Sequence, residues 1–302
     1  MDILKDTKID FIGKRYYAFI FSAILALVGI IAAVFIPLGK ANLGIDFTGG
    51  VAIQLKFEKP FAMENARSVL DKAGFKDAEL QQFAEGNQLL IRLKNAEGEL
   101  KVTSDKLTEV FTRSFADNTF IVESSAAVGP TVGKKLQKDA LWAVGISLLG
   151  ILIYVAWRFE LIFGIAAVIA TFHDVLAVLG VFYVLNKEIN LLIITALLTL
   201  AGYSLTDTVV VFDRIRENMR KRGKEALEAL INRSVNEVLS RTIVTSGTTL
   251  LVLLALLVAG GEVIHDFSLA LFLGVLVGTY SSIFVASPLL LLWKGKRGRL
   301  VR

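Results

Sequence analysis

The sequence contains no cysteine and only two histidines among its 302 residues. Without cysteine there is no disulfide framework, no thiol nucleophile and no thiolate metal site. His173 and His265 do not have the spacing of metal ligands. A phosphate-binding loop is also missing, because Gly133-Lys134-Lys135 lacks both the preceding glycine and the Ser or Thr that should follow. Nothing indicates an enzyme with covalent chemistry of its own, and we expect no metal and no cofactor.

Long apolar runs are abundant instead, and 54% of the residues are hydrophobic. A helix of about 20 apolar residues crosses a bilayer, so the composition predicts a multispanning α-helical membrane protein. The first run is too long for the apolar core of a signal peptide, which indicates an uncleaved first span. The six predicted spans are Tyr16–Leu38, Ala140–Trp157, Phe159–Leu185, Leu191–Asn218, Thr242–Gly260 and Phe267–Trp293.

The net charge of +5 does not indicate a nucleic-acid-binding protein, because the basic residues cluster at the ends of the predicted spans. Six spans place both termini on one side, which would carry the basic segments 1–15, 214–241 and 294–302. The short loops on the other side contain only Lys187. The positive-inside rule therefore predicts cytoplasmic termini. The tail 294–302 is expected in the cytoplasm, and a helix at about 214–240 is expected along the membrane surface, because its apolar residues keep to one side.

Residues 39–139 differ in character, since charged and apolar residues alternate there. Val51, Ile53, Leu55 and Phe57 alternate as in a strand, and later segments repeat at helical and strand spacing. The predicted order is β-α-β-β-α-β, which is the order of the ferredoxin-like unit. We expect one α+β domain outside the cytoplasm, between spans one and two.

One acid is out of place in the fourth predicted span. Asp207 lies among apolar and hydroxyl residues, roughly one or two turns from the cytoplasmic end. A carboxylate at membrane depth costs about 2.5–3.5 kcal/mol on insertion scales, so it usually faces the inside of a helix bundle. Asp207 is either a structural hydrogen-bonding residue or a group that gains and loses a proton, and we favour the second interpretation.

Span five runs antiparallel to span four, so Thr245 and Ser246 are expected at about the depth of Asp207. Arg241, at the start of that span, could reach towards the acid or could serve only as a cytoplasmic anchor. His173 and Asp174, in the middle of span three, are either a structural pair or proton carriers, and we favour structural support. Gly274 and Gly278 are spaced for close helix packing.

Three motifs together resemble the SecD/SecF family of protein-export membrane proteins, within the resistance-nodulation-division superfamily, and in particular its SecF members. They are Gly44-Ile45-Asp46-Phe47-Thr48-Gly49-Gly50, the stretch 201–218 around Asp207, and Ser240-Arg241-Thr242-Ile243-Val244-Thr245-Ser246. The resemblance extends from the first span to the fifth. It implies that Asp207 and Arg241 form a proton relay, with His173, Asp174, Thr245 and Ser246 in support. Gly44, Asp46, Phe47, Gly49 and Gly50 would form the glycine motif of the family.

The resemblance further implies an auxiliary subunit of the Sec translocase in the bacterial plasma (inner) membrane. Its expected partners are SecD, the SecYEG channel, YajC, unfolded secretory polypeptides and lipid. Together with SecD it would couple the proton gradient to late steps of export. Two alternatives stay open: half of a small-molecule exporter of the same superfamily, and an assembly scaffold in which Asp207 is only structural.

Overall fold

The computed structural model describes residues 7–82, 87–94, 100–221 and 225–293, so the basic tail at 294–302 and the first six residues lie outside the described part. The chain forms two compact units. The helical unit comprises residues 1–42, 142–187 and 192–302, and the sheet unit comprises residues 43–141 together with the short segment 188–191.

The helices are numbered in chain order. They are α1 Arg15–Phe35, α2 Ile45–Thr48, α3 Met63–Lys72, α4 Leu100–Ser114, α5 Pro130–Arg158, α6 Leu161–Val184, α7 Leu191–Arg220, α8 Leu227–Ala259, α9 Glu262–Ser281 and α10 Ser287–Leu289. A π-helical turn, Ser282–Ala286, follows α9, and a 3₁₀ turn, Leu290–Trp293, follows α10. Within the described residues six helical segments are long and apolar enough to cross a membrane, as expected: α1, α5, α6, α7, α8 and the segment Ile264–Leu292.

Helix α6 is the most buried of these six segments. Its small residues Ala166, Ala167 and Ala170 are fully buried, and small residues of this kind let membrane helices approach closely. Helix α1 crosses α6 at Gly29, where an added Cβ would lie 2.1 Å from the backbone oxygen of Leu176. The helical unit is therefore built around a central helix packed by small side chains.

The predicted surface helix at about 214–240 is wrong. Helix α7 continues through Arg214 to Arg220, and the later residues form the first four turns of α8. Leu227, Leu230 and Ile231 are the apolar stripe that suggested a surface helix, and all three are at most 3% exposed in the core of the bundle. The stripe is covered by protein rather than by the membrane surface.

The N-terminal segment packs on the same part of α8. The side-chain oxygen of Asn232 accepts hydrogen bonds from the backbone N–H groups of Phe11 (2.8 Å) and Ile12 (3.2 Å). Phe11 and Ile12 are themselves buried. The segment before α1 and the first turns of α8 therefore lie together.

The described residues of the sheet unit contain four strands: β1 Gly50–Phe57, β2 Glu79–Gln82, β3 Gln88–Lys94 and β4 Phe120–Val128. They form one antiparallel sheet in the order β2-β3-β1-β4. With α3 and α4 the element order from Gly50 to Val128 is β-α-β-β-α-β. Val51, Ile53, Leu55 and Phe57 are at most 1% exposed, which confirms the alternation predicted for this strand.

The second predicted span also begins earlier in the structure than the apolar run indicates. Helix α5 begins at Pro130, ten residues before the predicted span, because proline fits the first position of a helix well. The apolar run alone could not show this polar extension.

Candidate functional site

Two buried acids occupy the interior of the helical unit. Asp207 on α7 is 5% exposed and Asp174 on α6 is fully buried. An acid placed among apolar helices needs hydrogen-bond donors from its own bundle, because the surroundings supply none. Each of the two acids finds its donors on neighbouring helices.

Asp207 is bonded across to α8. Its Oδ2 atom accepts a hydrogen bond from the hydroxyl of Ser246 at 3.0 Å. The hydroxyl of Thr279, on α9, lies 2.7 Å from the same Ser246 oxygen and 2.7 Å from the backbone oxygen of Val275. A line of hydroxyl groups therefore leads from the acid on α7 through α8 to α9.

Asp174 has three donors on three sides. Its Oδ2 atom accepts hydrogen bonds from the hydroxyls of Ser204 on α7 (2.5 Å) and Ser281 on α9 (2.8 Å). Its Oδ1 atom lies 2.9 Å from Nδ1 of His173, which donates when the ring proton is on Nδ1. One carboxylate thus holds α6, α7 and α9 together.

The close approach of α7 and α9 depends on the two glycines that the sequence indicated for packing. A Cβ on Gly274 would lie 2.5 Å from Leu200, and one on Gly278 would lie 3.0 Å from Ser204. A larger residue at Gly278 would push away the helix face that donates to Asp174. The small-residue spacing therefore serves the polar cluster directly.

Next to this cluster, α9 ends and the π-helical turn begins. The hydroxyls of Thr208 and Ser282 lie 2.9 Å apart, and Ser282 is the first residue of this turn. The backbone oxygen of Ser282 accepts a hydrogen bond from Ser287 at 2.7 Å. Such turns widen the helix locally and are frequent at functional sites. Here the turn begins immediately after the residue that donates to Asp174.

Other predicted site residues lie outside this hydrogen-bonded cluster. Arg241 is exposed and has no ion pair with Asp207 among the described residues, although its charge is within electrostatic reach of the acid. The hydroxyl of Thr245 bonds to backbone oxygens of its own helix, at Arg241 and Thr242. Asp213 is exposed and lies 3.9 Å from Arg158. The structure brings together Asp207 with Ser246, and His173 with Asp174, but it does not pair Arg241 with the acid.

Sequence reasoning missed the donors from α9. Thr279 and Ser281 were not singled out, although three hydroxyl residues (Thr279, Ser281 and Ser282) within four positions of an apolar helix were a usable signal. Ser204 lies inside the motif around Asp207 but was not assigned to Asp174. The glycine-motif residues Gly44, Asp46, Phe47, Gly49 and Gly50 belong to the sheet unit.

Comparison with known proteins identifies relatives along the whole chain. Residues 107–296 match the family described as Protein export membrane protein SecD/SecF, C-terminal, and residues 39–61 match the SecD/SecF GG motif. The protein named Protein translocase subunit SecF of Thermodesulfovibrio yellowstonii is 54% identical over 97% of both chains. The protein of the same name from Vibrio alginolyticus is 44% identical over 96% of this chain and 91% of its own.

Solved structures agree with these matches. The crystal structure of SecDF from Thermus thermophilus, described as a translocon-associated membrane protein, is 40% identical, covers 96% of this chain and has a TM-score of 0.83. A structure of SecDF in a super-membrane-facing form matches over the same share with a TM-score of 0.69. The present chain spans 39% of each of these longer SecDF chains.

The three donors to Asp174 predict a large cost for its removal. In Asp174→Ala, Ser204, Ser281 and His173 lose their buried acceptor, and each unsatisfied group costs about 1–3 kcal/mol. We expect lower thermal stability in detergent, and a smaller loss in Asp174→Asn, because its amide oxygen still accepts. The control is Asp213→Ala, whose side chain is 63% exposed. Equal melting temperatures for the Asp174 and Asp213 variants would contradict the assignment.

Proposed function

The chain belongs to the SecD/SecF family of protein-export membrane proteins, and on this premise we propose that it is an auxiliary subunit of the Sec translocase. In this proposal it acts with SecD to couple the proton gradient to late steps of polypeptide export. The observation that carries the proposal is Asp207, a buried acid bonded through Ser246 towards α9. Ionisable groups inside membrane helices commonly mark ion or proton pathways.

Protonation of Asp207 would reverse the direction of the hydrogen bonds that run from this acid through Ser246 to Thr279. When the acid is charged, Ser246 donates to it and Thr279 can donate to Ser246. When the acid is protonated, its O–H donates to Ser246, whose own proton turns to Thr279, and Thr279 donates to the backbone oxygen of Val275. No atom moves far, but the bonds that join α7, α8 and α9 change with the proton.

Arg241 has a supporting role in this scheme. Its exposed guanidinium is already within electrostatic reach of Asp207, and its long side chain can turn towards the acid when the acid is charged. His173 and Asp174 hold the helices in place while Asp207 changes state. The arrangement of their donors supports this division, because Asp174 is bonded on both of its oxygens, whereas Ser246 bonds one oxygen of Asp207 and continues the line to Thr279.

The orientation in this proposal follows the basic residues. The N-terminal segment packs on the first turns of α8, which supports placing both on the cytoplasmic side. The sheet unit is then a ferredoxin-like periplasmic domain between spans one and two. SecD, SecYEG and YajC are the proposed partners in the plasma membrane.

Replacement of Asp207 by Asn removes the titrating proton and keeps the size of the side chain. We expect proton-dependent late translocation to fall at least tenfold, while the protein accumulates normally. The measurement is the export rate of a secretory precursor into membrane vesicles with and without a proton gradient. Asp213→Asn, on the same helix but exposed, is the control. Wild-type export by the Asp207 variant would favour the alternative of an assembly scaffold.

Partner identity separates the proposal from the small-molecule exporter. The sheet unit has about one hundred residues, which is small for building a periplasmic tunnel for small molecules. We expect the affinity-tagged chain, solubilised in mild detergent, to retain SecD in about equal amount and SecYEG in part. Recovery of the chain without either partner, in a detergent that preserves SecYEG itself, would contradict the proposal.

The sheet unit offers an exposed strand for contact with polypeptides. Strand β4 is at the edge of the sheet, and its residues are exposed or half-buried along its whole length. An edge strand presents unpaired backbone groups to which another extended chain can add. A groove beside it is lined by both polar and charged residues: Ser104, Asp105, Thr108, Glu109, Thr112, Arg113, Val122 and Ser125. We propose that β4 makes weak, sequence-tolerant contact with the emerging chain.

Site-directed crosslinking tests this surface, and the absence of native cysteine makes each introduced cysteine unique. Probes at Val122 and Ala126 should crosslink to a stalled export substrate. A probe at Lys72, exposed on α3, should not. Failure of both β4 probes with several substrates, or crosslinks to SecD alone, would show that β4 is not the substrate surface.

A further inference from the structure

The glycine motif Gly44-Ile45-Asp46-Phe47-Thr48-Gly49-Gly50 plays no part in the proton scheme above, yet its geometry is specific. Ile45 and Phe47 of the short helix α2 are each 6% exposed, so α2 is anchored in the sheet unit by its apolar residues. The side chain of Asp46, which lies between them in sequence, is directed towards Leu191 instead. Its Oδ2 atom accepts a hydrogen bond from the backbone N–H of Leu191 at 2.9 Å.

Leu191 is the first residue of α7. The first N–H groups of a helix have no partner within the helix, and a carboxylate there also meets the positive end of the helix dipole. Caps usually come from the residue just before the helix. Here one acceptor comes from Asp46, 145 positions before Leu191 in the sequence.

Further contacts hold the short segment 188–191 in the sheet unit. Gly44 donates its backbone N–H to the oxygen of Ile189 at 2.9 Å, and Leu43 forms a parallel bridge with Ile189. Arg92 on β3 lies 2.5 Å from Glu188. Burial raises the pKa of Glu188, while the charges of Arg92 and Lys94 oppose this shift. A Cβ on Gly44 would lie 2.9 Å from the Cβ of Asn190, so glycine is needed for the approach.

The second half of the motif meets the start of α5. Gly49 has φ +76°, and a Cβ there would lie 2.8 Å from the Cα of Pro130, the first residue of α5. On the α5 side, a Cβ on Gly133 would lie 2.8 Å from the backbone oxygen of Phe47. Gly50 enters β1 with φ +138°, where a Cβ would lie 2.0 Å from the oxygen of Leu93. One short motif therefore contacts the first turns of two long apolar helices.

We propose that Asp46 is a positioning residue, which caps α7 from within the glycine motif and so fixes the start of the helix that carries Asp207. Asp207 lies between four and five turns further along α7, about 24 Å from its start. A continuous helix transmits a displacement of its first turn along its axis. The position of the first turn of α7 therefore bears on the position of Asp207, and this role rests on the proposed function.

The test compares Asp46→Ala with Asp46→Asn in the full-length protein. Asparagine retains a side-chain oxygen that caps helices about as well as aspartate, whereas alanine has no acceptor. In Asp46→Ala we expect amide hydrogen exchange in the first turn of α7 to become about fivefold faster, as the loss of a cap implies. Asp46→Asn should stay near wild type. Asp71→Ala, at an exposed aspartate on α3, is the control.

Translocation is measured on the same variants and on Asp207→Asn. We expect Asp46→Ala to reduce proton-dependent export severalfold without loss of accumulation, and Asp46→Asn to restore it. Unchanged exchange in Asp46→Ala overturns the cap whatever happens to export. Faster exchange with wild-type export, where Asp207→Asn abolishes export, overturns the positioning role alone. If Asp207→Asn exports normally while the exchange still changes, the proposed proton coupling fails and the cap itself stands.

Discussion

A carboxylate buried among apolar helices has to be stabilised by groups of its own bundle, because neither lipid nor apolar side chains supply hydrogen bonds. This requirement explains much of the helical unit. Asp174 needs three donors, so α6, α7 and α9 must approach each other closely enough for Ser204 and Ser281 to reach one side chain. The approach leaves little room for a side chain at position 278 of α9, where an added Cβ would lie 3.0 Å from Ser204. The close packing of α7 and α9 and the hydrogen bonds to Asp174 therefore depend on each other.

The two acids differ in a way that suits different roles. Asp174 is bonded on both oxygens and joins three helices, so a change in its protonation would disturb all three. Asp207 accepts a hydrogen bond from Ser246, whose hydroxyl belongs to a line of hydrogen bonds that can reverse their direction. A group that changes its charge during a cycle needs neighbours that serve both states, and hydroxyl groups do so because they donate and accept.

Much of the architecture was predictable because it depends on local patterns. The length of each apolar run predicts a membrane span, and the alternation in β1 predicts its buried face. Both predictions follow from the removal of apolar side chains from water. The apolar stripe at Leu227, Leu230 and Ile231 led to the wrong prediction of a surface helix, because an amphipathic face does not reveal whether lipid or protein covers it. Asp207 was conspicuous as an acid in an apolar run. Thr279 and Ser281 were not, because a hydroxyl in a membrane helix usually bonds to its own backbone, and only the packing of α9 shows which one faces an acid.

The glycine motif is a second case in which a local sequence pattern does not reveal the role of its residues. Two adjacent glycines before a strand look like a simple turn, and positive φ values at Gly49 and Gly50 satisfy that description. The reason for the rest of the motif lies in segments distant in sequence: Asn190 and Leu191 for Gly44 and Asp46, and Pro130 for Gly49. Since the cap on α7 and the contact with α5 come from one turn, a shift of that turn affects the starts of both helices together.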